Sequence, residues 1–64
     1  MREQLNKAIE LRKDGQLKES NTILIQLANT FPNDAQVQYH CAWSFDALGE
    51  ESKAVPYYER AIEL

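Results

Sequence analysis

Apolar side chains recur along the chain at intervals of three and four, in four separate stretches. In the first, Leu5, Ala8, Ile9 and Leu11 are interleaved with Glu3, Lys7, Glu10 and Lys13, which predicts an amphipathic helix over residues 2–14. Asp14-Gly15 ends it, with the glycine at a left-handed cap position that only glycine takes cheaply. Ile23, Leu24, Leu27 and Ala28 predict a second helix over residues 18–30. It stops at Phe31-Pro32, because proline disfavours helix in the residue before it. Asn33 or Asp34 is placed to cap a third helix over residues 35–48, with Gln36 as a capping-box partner of Asn33. Val37, Tyr39, Cys41, Ala42, Phe45 and Leu48 supply its apolar positions, and Gly49 closes it. A fourth helix is expected from residue 52 to the end, capped by Ser52, with Pro56 inside its first turn. Connections of three to five residues force neighbouring helices to run antiparallel, so the predicted fold class is all-α, with four helices in two antiparallel hairpins. A coiled-coil hairpin would need unbroken apolar heptads, which the two glycines and Pro32 interrupt.

The second half of the chain repeats the first. Gly15 and Gly49 lie 34 residues apart. At the same offset Ala8 falls on Ala42, Leu11 on Phe45, Ser20 on Ala54, Leu24 on Tyr58 and Leu27 on Ala61. A fixed period of this length is the signature of a stacked-repeat architecture. With Pro32 at the end of the first unit, the pattern resembles the tetratricopeptide repeat (TPR) family over the whole chain. The resemblance implies a single TPR-like domain over residues 1–64, with repeat one over 1–34 and repeat two over 35–64, stacked as a right-handed array. Repeat two matches the family better. Repeat one departs at Gln4 and Lys7, where large apolar side chains are usual, and polar residues there are expected to act as a terminal cap. It also departs at Ser20 and Leu27, which implies looser or differently shaped packing of the first hairpin.

The resemblance also implies a function. Family members hold extended peptides or partner helices in a concave groove lined by the first helix of each repeat. Here that groove is expected to contain Leu5, Ile9 and Arg12 from repeat one, with Tyr39 and Trp43 from repeat two. The chaperone-binding subgroup grips acidic tails with Lys and Asn at positions occupied here by Leu5, Ile9, Tyr39 and Trp43, so that clamp is absent. The groove reads instead as apolar and aromatic, edged by Arg2, Arg12 and Lys13. Tyr39 and Trp43 are the expected anchors, since aromatic residues dominate binding hot spots. Trp43 packed inside the domain or across a dimer contact is the competing reading. Repeat two lacks a C-terminal capping helix, so Tyr58, Ala61 and Ile62 are expected to form an uncovered self-association face. Stacked repeats need about three units for stability, which points to a fragment of a longer repeat protein or to a homodimer. The leading expectation is therefore a protein–protein interaction module. The alternative is a self-assembly or dimerisation module with no separate ligand.

Composition narrows the chemistry. The 64 residues carry a net charge of −3, which argues against nucleic acid and against an anionic membrane surface. No apolar run approaches the length of a membrane span, and no apolar segment follows the charged first residues as a signal peptide requires. One cysteine, Cys41, allows no intrachain disulfide and fits a reducing, cytoplasmic compartment. No metal-ligand spacing appears and no cofactor is expected. His40 and Ser44 share a helical face, but Asp46 points elsewhere, and two small hairpins offer no deep cleft, so the chain is expected not to be an enzyme. Adjacent His40 and Cys41 cannot converge on one metal ion, and Cys41 reads as a small buried hydrophobe.

Overall fold

The computed structural model describes residues 1–64 and contains helices α1 (Arg2–Lys13), α2 (Leu17–Thr30), α3 (Ala35–Ala47) and α4 (Glu51–Glu63), with no strands. Both hairpin turns are built from backbone alone. Gly15 and Gly49 are the only residues with positive φ, at 85° and 80°. At the first turn the amide of Gly15 donates to the Arg12 carbonyl and that of Gln16 to the Leu11 carbonyl. At the second, Gly49 donates to Asp46 and Glu50 to Phe45 in the same pattern. These paired bonds are the Schellman motif, which satisfies the orphan carbonyls at a helix end and needs a left-handed residue at its centre.

The directions of the helices follow from their side-chain bonds. Asn21 meets Ser44, while the Ala28 carbonyl meets Gln38, so α2 and α3 are antiparallel. Arg2 meets Gln36 and Arg12 meets His40, so α1 and α3 run parallel. The packing order is α1 on α2, α2 on α3 and α3 on α4, with a sparser contact of α1 on α3. One core runs through all four helices: Leu5 and Ala8, then Leu24, Leu27 and Ala28, then Val37, Cys41, Ala42 and Phe45, then Ala54. Phe45 and Tyr57 stack with ring centroids 5.5 Å apart and close the second hairpin.

Of the capping expectations, one selects between its two alternatives and two change. Asp34 caps α3, accepting from the Val37 amide at 3.0 Å. Gln36 forms no capping box with Asn33: with Asp34 as the cap it stands one residue short of the box position, and its Oε1 accepts from Arg2 on α1. Ser52 is not the cap of α4, which starts one residue earlier, at Glu51, with Glu50 before it. Pro56 therefore lies beyond the first turn, and the carbonyl of Ser52 that it leaves unpaired belongs to an exposed residue and can take water.

Four buried polar side chains tie the helices together. The Ser20 hydroxyl donates to the Ala8 carbonyl at 2.7 Å, so a hydroxyl fits where the second hairpin has Ala54. Ser20 and Leu27 are both buried, and the first hairpin closes around them. Asn21 donates to the Ser44 hydroxyl, which itself donates to the Cys41 carbonyl. Gln38 donates to the carbonyls of Ala28 and Pro32, and its Oε1 is buried without a partner.

Candidate functional site: an aromatic face on α1 and α3

The parallel pair α1 and α3 presents one surface of the molecule, and the residues on it are brought there by helical spacing. Tyr39, His40 and Trp43 lie within one turn of α3, on its outward side. Tyr39 is 46 % exposed and Trp43 42 %. The Tyr39 ring stands edge-on to His40, to Trp43 and to Tyr58, with centroids 5.6, 6.0 and 5.9 Å away. His40 lies parallel to the Trp43 indole, 12° from coplanar orientation and 6.0 Å between centroids. Edge-to-face and offset-parallel pairs at these separations are the favoured arrangements of aromatic quadrupoles.

Arg12 completes the cluster from α1. Its Cζ sits 3.7 Å from the Trp43 ring centroid, a cation–π contact. Its Nη1 lies 3.2 Å from His40 Nδ1. The molecule's one ion pair, Lys53–Glu50, is elsewhere, so Arg12 has no carboxylate partner. Partial burial lowers the Arg12 pKa, opposed by Tyr39. Burial first, and then the adjacent guanidinium, hold His40 below its ordinary value.

Of the five residues expected in the groove, four line this face: Ile9, half-buried, and Arg12, Tyr39 and Trp43. Leu5 does not. It is 1 % exposed and belongs to the core, with almost no surface to offer a ligand. Its register equivalent in the second hairpin, Tyr39, is open because no helix covers it.

The residues expected to self-associate divide. Ile62 projects into solvent and Ala61 is half-buried. Tyr58 is half-buried against Tyr39, and its hydroxyl donates to Asp46 at 2.7 Å. That bond, more than burial or charge, pushes the Tyr58 hydroxyl up to about 12. The two expected surfaces therefore meet at Tyr39, which touches Trp43 on one side and Tyr58 on the other. Sequence reasoning missed Val55, half-exposed beside them. Its signal was the spacing Val55, Tyr58, Ile62, an apolar stripe flanking the small residues Ala54 and Ala61 on the same side of α4.

The nucleophile candidates are occupied. Ser44 is buried and bonded to Asn21 and to the Cys41 carbonyl, so it does not face His40. Burial pushes the Cys41 thiol up to about 12, partly offset by Tyr57, which keeps it protonated. The largest concavity, about 500 Å³, opens between the start of α1 and the end of α2, beside Gln4, Ile23 and Phe31, and contains no titratable side chain. No three His, Cys, Asp or Glu side chains are grouped to hold a metal ion, and no helix is long and apolar enough to cross a membrane. Comparison with family models, with curated proteins and with solved structures gives no match.

Proposed function

We propose that the chain is a protein-interaction module of the TPR kind that takes a partner peptide or helix along the α1–α3 face, with Tyr39 and Trp43 as anchors. The observation that carries this reading is the contiguous aromatic cluster of Tyr39, His40, Trp43 and Tyr58, with Tyr39 and Trp43 exposed, on a chain of only 64 residues. Large aromatic side chains left in water are costly to expose and are enriched at binding hot spots. The 34-residue offset between the hairpins and their matching glycine caps support the family resemblance. Binding rather than catalysis is supported by the occupied Ser44 and the protonated Cys41, and a cytoplasmic setting by that same lone, buried thiol. The test places a photo-crosslinking residue at Ile9 and, as control, at Thr22 on the exposed side of α2. Crosslinks to one protein from Ile9, absent from Thr22 and lost with Trp43→Ala while circular dichroism is unchanged, are expected. Equal labelling from both positions, or collapse of the fold in Trp43→Ala, counts against the groove.

A second reading, self-assembly without a separate ligand, is favoured by the uncovered stripe of Val55, Tyr58 and Ile62 on α4. Light scattering decides it. A dimer that Ile62→Glu dissociates supports assembly, and a monomer at all concentrations removes it.

A further inference from the structure

Arg12 sits on the Trp43 indole, and one polar contact holds it there. A guanidinium has only donors, so its bond to His40 Nδ1 requires a bare lone pair on that nitrogen. The imidazole must then be neutral, with its proton on Nε2. Adding a second proton removes the acceptor and sets one cation directly against another. Nothing around the ring offsets that charge. Arg12 faces His40 from α1, while Tyr39 and Trp43 face it from its own helix. On the α4 side Tyr58 reaches Tyr39 and not the imidazole, and the nearby acid, Asp46, accepts from the Tyr58 hydroxyl. No carboxylate pairs with either His40 or Arg12.

We propose that His40 and Arg12 form a proton-operated cover over Trp43. Neutral His40 holds the guanidinium on the indole face, and the imidazolium releases it, opening that face to the groove. The proposal rests on the reading of this surface as the partner site and adds a control to it, with the indole partly covered at neutral pH and more fully available in mild acid. The contact between α1 and α3 is otherwise sparse, with Arg2–Gln36 at its far end, so releasing Arg12 frees one end of the pair. Burial and the neighbouring guanidinium both favour the neutral ring, which places the transition on the acid side of 6.5. Because the fold lowers this pKa, His40 contributes stability that is present above the unfolded value and lost as pH falls through the folded one.

The chain supplies its own probes, since Trp43 is its only tryptophan and His40 its only histidine. Indole emission and its quenching by acrylamide are followed from pH 8 to pH 5 on the full chain without any partner, with far-ultraviolet circular dichroism alongside. Proton NMR of the imidazole gives the His40 titration independently of any variant. The expected result is greater quenching in acid, with a midpoint below about 6.5 that matches the His40 titration, at constant helicity. His40→Asn keeps an acceptor where Nδ1 stood but takes no proton, and its indole signal is expected to be flat. Arg12→Gln is expected to start from the open, more quenchable state and to move the His40 midpoint upward, since it removes the guanidinium's share of the depression and leaves that of burial. The proposal is overturned by a pH-independent indole, by a His40 midpoint at or above 6.5, by titration of His40→Asn like the parent, or by loss of helicity at the same midpoint. None of these outcomes bears on the partner reading, which is decided by crosslinking from Ile9.

Discussion

Leu5 and Tyr39 hold the same place in two hairpins 34 residues apart, and one is in the core while the other is in water. The same contrast separates Ala28, fully buried, from Ile62, 85 % exposed. Positions that face inward within a hairpin show no such contrast. Ala8 and Ala42 are both buried, and so are Ser20 and Ala54. What a hairpin buries by itself is thus set by its own two helices, and what it exposes is set by whether another helix lies beside it. The first hairpin has α3 as its cover, bonded through Asn21–Ser44 and Gln38–Ala28. The second has no cover, and its uncovered residues are the aromatic and β-branched ones.

The largest test of this contrast is a pair of matched truncations. Leu5→Ala is expected to destabilise by about 2–5 kcal/mol in urea unfolding, comparable to the whole stability of so small a domain. Tyr39→Ala, at the equivalent place, is expected to cost about 1 kcal/mol, the worth of its ring contacts. Equal costs would break the comparison. The glycine caps sharpen it from the other side, because they are built within each hairpin. Nothing lies within 4 Å of where a Cβ would stand at Gly15 or Gly49, so alanine at either is strained only by its left-handed backbone. Each is expected to lose about 1–2 kcal/mol, and to lose it equally. Asp34→Ala removes the cap of the helix that joins the hairpins and is expected to cost about 1 kcal/mol, read by thermal unfolding. Lys53→Ala breaks an exposed ion pair confined to the second hairpin, and a change above about 0.5 kcal/mol there would be unexpected.

Much of the fold was legible in the residues themselves. Gly15, Gly49 and Pro32 mark helix ends by backbone chemistry that no tertiary contact overrides, and the four helices fall within a residue or so of the expected spans. The apolar spacing of the first helix also placed Leu5 among inward-facing residues, whereas family resemblance placed it in the groove. Local pattern failed where a side chain found a distant partner. Gln36 follows Asn33 at box spacing, but Asp34 takes the cap and the Gln36 side chain accepts from Arg2, 34 residues away. Gln38 reads as surface, but its amide spans two carbonyls at the end of α2. At the candidate site, Tyr39 and Trp43 were visible as aromatics at helical spacing. The Arg12 contact that covers Trp43 was not, because it depends on how closely α1 and α3 lie side by side.

The parallel register of α1 and α3 gives the molecule a direction of growth. At the positions where α3 offers Val37, Cys41 and Phe45 to α2, the outer side of α1 offers Glu3, Lys7 and Leu11, so little at the amino-terminal end suits a further apolar helix. The other flank is apolar at the matching places, with Val55, Tyr58 and Ile62 where α2 has Asn21, Leu24 and Ala28. Appending a copy of residues 31–64 after Leu64 would carry its own linker and caps, and the one position to trim for the added helix is Ile62, which stands where the small Ala28 lets α3 approach α2.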